Sequence, residues 1–458
     1  MKKIILSLVL FSATTLTVLS QYYQGFENDN FNGLHGVLIN PANIVDSRIK
    51  SEINIFSTQI QIGTDYTPLT PDNFINIINE DSFTVFPKDD NELLLNLELF
   101  GPSFMFNLTK KSSIGLLSRV RIYNNSRNLN AKLYEDLTSG FDDEDFDFNM
   151  KNLDQTLHAW GEIGLTYGRI LTDKDNNFLK AGITLKYLLG GGVVQATSNS
   201  FSGDYVYNEN DPPQSLINLS GDLSYMMSYN EDEDPFSSIT PGFGTDIGLI
   251  YEYRPESTRT IAEDRNGKGF NKYKLKIGVA ILDIGHITYK DQEQTDYTLN
   301  GSVTAEEGEN DIGQALEDNY PGTTTVKDIK VSLPTALQIN IDYRITHRVY
   351  ASVNYNTSLL EADKPYNNIG QNILSISPRY ETRFFSLYLP VSFSELGGTA
   401  IGTGFRLGPL VIGSGTILST LFSDNAKSAN IYAGLKVPIY QKRKSKLEND
   451  TLTPGTVN

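Results

Sequence analysis

Four histidines, His35, His158, His286 and His347, are the side chains best suited to proton transfer or metal ligation, and they lie far apart in the chain. None stands four residues from another, and no cysteine is present to complete a cysteine-containing zinc set. The same absence removes disulfides and thiol nucleophiles. Asp173, Asp175 and Asn177 open like a calcium loop, but Phe178 stands where that loop needs glycine, so a hairpin turn is the better reading. No Gly-x-Ser-x-Gly element occurs, and Gly190-Gly191-Gly192 is not followed by the Lys-Ser or Lys-Thr of a phosphate cradle. The chain reads as a non-enzyme, with no catalytic residue, no metal and no cofactor to assign.

The remaining polar chemistry sits at every second position of strand-like stretches. Between Leu333 and Ile345 one parity is apolar, through Leu337, Ile339, Ile341 and Tyr343, and the other carries Gln338, Asn340, Asp342 and Arg344. The pattern resumes after His347, with Val349, Ala351, Val353 and Tyr355 set against Tyr350, Ser352 and Asn354. Asp246 and Glu252 oppose Ile247, Leu249 and Tyr251, and Arg406 opposes Phe405 and Leu407. Successive side chains of a strand point to opposite faces, so each stretch has one apolar and one polar wall. Strands of roughly ten residues, apolar outward and polar inward, are the signature of an outer-membrane β-barrel. On that reading Asp246, Glu252, Gln338, Asn340, Asp342, Arg344, Asn354 and Arg406 line the lumen. Tyr343 and Tyr350 fall near strand ends, where an interfacial aromatic belt would lie.

Composition fits that class. A mean hydropathy of −0.28 does not oppose it, because barrel strands are half polar and their loops long. The 25 Tyr and 23 Phe suit aromatic girdles. A net charge of −17 argues against nucleic acid and anionic surfaces as partners. Acidic runs at 141–147 and 231–234 read as solvated loops.

Met1-Lys2-Lys3, an apolar run and small residues Val18 and Ser20 make residues 1–20 a secretory signal peptide. Residues 21–50 are polar and rich in Gly and Asn, residues 51–440 carry the strands, and the charged tail 441–458 is expected to be disordered. Within the polar lead, the run from His35 to Arg48, His-Gly-Val-Leu-Ile-Asn-Pro-Ala-Asn-Ile-Val-Asp-Ser-Arg, resembles the N-terminal region of the long-chain fatty-acid transporter (FadL-like) superfamily. It is more similar still to a Bacteroidota outer-membrane barrel family without an assigned role. The stretch around Gly242–Pro255 and Lys274–Tyr289 resembles a central strand pair of that family. The resemblance implies an all-β fold, a transmembrane antiparallel β-barrel of about 14 strands with an N-terminal hatch in the lumen. It places Asn40, Pro41, Ala42 and Asn43 in that hatch. From residue types alone, Asn40 is also an ordinary helix N-cap with Pro41 at the first helical position.

The alternation breaks at Asp283, Gly285 and His286, which predicts a wall kink. A bulge in an intact wall and a kink that opens a lateral gap both fit these residues. Residues 124–153, 190–240 and 292–329 read as long polar loops. The resemblance implies binding or passing of hydrophobic small molecules in an outer membrane, with lipid and a hydrophobic ligand as partners. The alternative is a non-transporting barrel that holds other outer-membrane or surface proteins through those loops.

Overall fold

The protein is described from a computed structural model, which covers residues 23–79, 84–228, 239–258, 271–361 and 364–441. Residues 1–20, expected to be a signal peptide, the acidic run 231–234 and the tail beyond 441 lie outside the described residues.

Fourteen antiparallel strands close into a barrel. They are β1 (Ile49–Thr64), β2 (Asn91–Phe100 and Ser103–Asn107), β3 (Ser112–Leu129), β4 (Phe146–Lys174), β5 (Asn177–Val206), β6 (Leu216–Met227 and Thr240–Tyr253) and β7 (Leu275–Thr304). There follow β8 (Gly322–Ser332 and Ala336–Arg344), β9 (Val349–Ser358), β10 (Ile373–Glu381), β11 (Phe385–Tyr388 and Val391–Ser394), β12 (Gly398–Ile401 and Thr403–Leu407), β13 (Leu410–Ser414) and β14 (Ser428–Tyr440). Each strand pairs with its sequence neighbours, and β14 returns to β1 from Ile49↔Tyr440 to Gly63↔Ser428. Closure leaves no terminal edge strand, the condition for a sheet to stand in hydrocarbon.

Outward side chains form an apolar band that reaches every strand. Phe56, Phe104, Val120, Leu165, Leu185, Leu249 and Val279 are exposed on the first seven strands. Ile341, Val353, Ile376, Leu387, Leu407, Leu410 and Leu435 continue it around the others. A soluble protein does not leave so large a contiguous apolar surface in water, and lipid is the solvent that suits it. Among the described residues no helix is long and apolar enough to cross a membrane, so the strands are what would span it.

The wall is lopsided. β4, β5 and β7 run for 29, 30 and 30 residues, whereas β9 and β10 have 10 and 9. About ten residues cross the bilayer, so the long strands rise well beyond it. Here the loop expectation for 124–153, 190–240 and 292–329 is corrected, because much of each is strand. The physical reason is an inversion of polarity. Above the apolar band the outward residues are Asp147, Asn149 and Lys151, while Phe148 and Met150 point inward. They join Phe201, Leu219, Leu299 and Val303 in a separate apolar core. The described residues include the helices α1 (Leu34–Val37), α2 (Pro71–Asn79), α3 (Ala131–Ser139), α4 (Ala305–Asn319) and α5 (Ile417–Phe422). Leu133 of α3 and Leu316 of α4 fill that upper core, and a Thr304–Glu307 capping box starts α4.

Two expectations for the stretch from Leu333 to Tyr355 also change. The apolar parity that begins at Leu333 is not one strand, since the ladder breaks at 333–335 around Pro334 and Leu333 is fully buried. Tyr350 is buried rather than interfacial, with the Arg379 guanidinium 4.5 Å from its ring.

Candidate functional site

Residues 23–48 fold into three short turns enclosed by the wall. Phe26–Asn28 and Pro41–Ile44 are 3-10 turns, and α1 lies between them. The last turn starts as its residue types dictate. Asn40 is extended, its Oδ1 accepts from Ala42 N at 3.0 Å, and Pro41 fills the first position. Asn40 also ties the turn to the wall, donating to Leu249 O at 3.1 Å and Val279 O at 3.2 Å. Pro41 and Ala42 are buried, and Asn43 donates to Gly36 O at 2.8 Å.

Glycines cut the seat for this turn. A Cβ at Gly182 would lie 2.3 Å from the carbonyl carbon of Pro41, and one at Gly248 2.2 Å from Asn40 Oδ1. Gly168 and Gly115 leave the same kind of room for Ile44, at 2.4 and 2.8 Å. These four glycines stand on β3, β4, β5 and β6, so four adjacent strands are hollowed at one level.

Apolar packing and charge hold the rest of the segment. Tyr23, Phe26, Leu34 and Val37 form one core with Phe100, Tyr388 and Tyr432 of the wall. Arg406 Nε bonds Asp29 Oδ2 at 3.0 Å, Leu34 N donates to Glu52 Oε1 at 2.8 Å, and Lys436 Nζ donates to Phe31 O at 2.8 Å. Asp342 pairs with Arg379 at 2.8 Å, and Asn30 N donates to Glu381 at 3.1 Å beside them. Glu252 accepts from Arg254 Nε at 2.8 Å, and Arg254 reaches Asp46 at 2.6 Å. Burial pushes the Asp46 carboxyl up, but Arg48 and Arg254 outweigh it and hold it below the usual carboxylate range. His35 stays neutral because burial depresses its imidazole, and Lys436 adds to the effect.

Seven charged side chains from β2 to β7 form a second layer above the Pro41 turn. Arg119 reaches Glu98 at 3.0 Å and also contacts Glu162. Arg121 bonds Asp283 at 2.9 Å, and Lys186 bonds Asp283 at 2.5 Å and Asp246 at 2.7 Å. All seven are buried, so each charge depends on its partners.

Asp283 reaches this layer through a bulge. Its φ is 56°, that of Gly285 is 156°, and the register against β6 shifts between Thr245 and Ile247. Inward residues change from even (Ala280, Leu282) to odd (Ile287, Tyr289), and His286 points outward. The ladder stays bonded on both sides. Gly244 and Gly285 pair across β6, while Leu333 N donates to Gly285 O at 3.0 Å and Thr335 Oγ1 to Asp283 O at 2.7 Å across β8. The register thus shifts at Asp283 while the ladder there stays closed.

The ladder is interrupted elsewhere, at a place the alternation did not mark. β13 is only five residues long and pairs with Thr403–Leu407 and with Tyr432–Leu435. Gly398–Ile401 therefore bonds only β11, and the start of β14 bonds only β1. α5 fills the interval. Ile401 N donates to Ser419 Oγ at 2.8 Å, and Asn430 N to Thr416 Oγ1 at 2.9 Å. Thr420 is buried, whereas Leu421 and Phe422 are 51% and 84% exposed.

Between the enclosed segment and residues 370–375 lies a small chamber of about 60 Å³, continuous with open solvent. Gln24 and Glu27 form one side, and Gln61, Asn96, Gln338, Asn354 and Asn356 project from the wall. Apolar lining comes from Tyr123, Pro334, Ala336 and Ile373. Glu27 accepts from Asn354 Nδ2, and Asn354 Oδ1 accepts from Asn28 and Asn340, both at 2.6 Å. The eight polar-parity residues thus all lie on the inner face and are buried, seven of them in the charged layers or around this chamber, while Arg344 donates to Asn271 O at 3.0 Å and Thr346 O at 3.3 Å. Sequence patterning missed Arg119, Arg121, Lys186 and Glu98, although each stands at an inward position of an alternating stretch.

Burial without a counter-charge pushes the Glu27 carboxyl from 4.5 up to about 8, against a smaller lowering by the Gly25 backbone. The folded state then holds a proton that the unfolded chain loses above pH 4.5. Glu27 should therefore favour folding fully below pH 4.5, and that contribution should fall as pH rises to about 8. The slope reaches about 1.4 kcal/mol per pH unit. Glu27→Gln should flatten the difference in melting temperature between pH 5 and 8, and an unchanged pH profile would refute this.

Several solved barrels are similar to this chain. The toluene transporter TbuX of Ralstonia pickettii is 12% identical with a TM-score of 0.44, over 95% of this chain and 100% of its own. The P. putida toluene transporter TodX gives 9% and 0.49, over 94% and 100%. A Pseudomonas aeruginosa FadL homologue gives 11% and 0.43, over 93% and 98%. No curated protein matches. Residues 41–415, from the Pro41 turn through all but the last strand, match a single family model, and the chain belongs to the family described as "Family of unknown function (DUF5723)".

Proposed function

We propose that this protein is a FadL-like outer-membrane barrel that binds and passes hydrophobic small molecules, with residues 23–48 acting as a hatch. The observation that carries the reading is the interrupted ladder beside the chamber. Gln24 lines the chamber, and its carboxamide lies against Gly415, immediately behind α5. A molecule leaving the chamber there would meet Thr420, then Leu421 and Phe422, and then lipid. That route spares an apolar body the aqueous layer, where its exposed surface costs about 25 cal/mol per Å².

The test is uptake by cells that lack other hydrophobic-uptake barrels. Cells expressing the protein should accumulate a radiolabelled long-chain compound faster than empty cells. A disulfide between Ile401→Cys and Ser419→Cys should tether α5 and stop the gain, and reductant should restore it. The chain has no other cysteine to confuse the result. Accumulation equal to that of empty cells would sink the reading.

The solid upper extension favours a second reading, a barrel that holds a partner protein. Its interior is packed by α3 and α4 rather than left open. A stoichiometric partner retained on gentle extraction, with no uptake, would select it.

A further inference from the structure

The chamber contains carboxamides that nothing in the fold satisfies. Both polar atoms of the Gln24 side chain are buried without a partner, as are Asn96 Oδ1 and Gln371 Nε2. Gln24 and Asn96 are 2% and 6% exposed, and both line the same space. A buried amide without a hydrogen bond is costly, and a site that keeps several is prepared for a molecule that completes them. Charge is the other half of the argument. Among the described residues no lysine or arginine lines the chamber, and the one carboxyl there, Glu27, is pushed up to about 8 by burial. An anionic ligand would find no counter-ion there and would lose its hydration.

We infer that the chamber selects an uncharged polar head: the molecule it takes has an apolar body ending in hydroxyl or amide groups, and not in a carboxylate. This rests on the proposed passage of hydrophobic molecules. Tyr123, Ala336 and Ile373 would pack against the body while Gln24, Asn96 and Gln371 hydrogen-bond the head. Carboxamides donate and accept together, so they suit hydroxyls and amides equally.

The experiment uses the full chain in lipid nanodiscs at pH 7.5 and three radiolabelled probes of one chain length: a monoacylglycerol, a primary fatty amide and the fatty acid. The neutral probes should bind roughly tenfold or more tightly than the acid. Binding by only one neutral probe also supports the inference and identifies the head as hydroxyl or amide. Asn96→Leu and Gln24→Leu should weaken neutral binding to a similar degree while leaving the melting temperature unchanged or higher, because each removes an unsatisfied buried group. A merely structural role would instead lower the melting temperature and leave binding alone. If the acid binds as tightly as the neutral probes, the inference fails and the proposed passage of hydrophobic molecules stands. If no probe binds saturably, both fail.

Discussion

Gly182→Leu should unseat residues 23–48 and leave the barrel conducting. The clash is with backbone, since a Cβ at this position would lie 2.3 Å from the carbonyl carbon of Pro41 and 2.4 Å from Ala42 N. A flexible side chain could swing away from such an intrusion, but a 3-10 turn begun by proline cannot. The turn has no room to move sideways either, because Gly115, Gly168 and Gly248 bound it equally closely. Overpacking of this kind costs about 1–3 kcal/mol, occasionally more. That is comparable to losing both hydrogen bonds from Asn40 to the wall, at about 1 kcal/mol each. The barrel itself should survive, since its ladder bonds do not involve the turn. Planar-bilayer recordings should show steady conductance for the variant and little for the parent, and protease should cut within 23–48. Gly161→Ala is the control, because a Cβ there meets only ordinary contacts from 3.6 Å. A variant as silent as the parent, with residues 23–48 still protected, would refute the seat.

Asp283→Asn should cause the largest loss of stability of any single charge removal in the lumen. Its carboxylate bonds Arg121 on one oxygen and Lys186 on the other, at 2.9 and 2.5 Å. Removing one partner of a buried pair leaves the other charge uncompensated and costs about 3–5 kcal/mol. Asparagine is the informative choice because φ at this position is 56°, a left-handed conformation that asparagine tolerates and most residues do not. The variant therefore isolates charge from strain. The temperature at which the folded band disappears on an unheated gel should fall steeply. Combining Asp283→Asn with Arg121→Gln should restore part of the loss, and the double-mutant cycle measures the coupling. A shift within experimental scatter would show that Asp246, Glu98 and Glu162, rather than Asp283, balance the two cations.

The bulge at Asp283 shows how far alternation could be read. A parity break beside glycine was legible as a kink, and so was its position. What the kink does was not legible, because that depends on which strands lie beside it and on the cations they present across the lumen. The same holds for β13. The five residues Leu410–Ser414 look like an ordinary short strand, and only the register of β12 and β14 shows that the upper ends of those two strands are left unpaired. The upper extension was missed for a different reason. Its strands alternate with the apolar side inward, as in a soluble sheet, so a search for outward apolar faces read them as loops.

While the count near fourteen came only through a family resemblance, the sequence by itself determined the class of fold and the polar parity of its clearly alternating stretches. Those follow from local rules, since side chains alternate and lipid demands an apolar outer face. It also determined the Asn40-Pro41 turn, whose cap lies two residues from the group it bonds. Tertiary structure decided everything that depends on distance across the lumen: the glycine seat, the pairing of charges from six strands, the chamber and the interruption filled by α5. These join residues as far apart as Asp29 and Arg406, 377 positions along the chain. No local pattern encodes such a pair, and only closure of the barrel brings its members within reach.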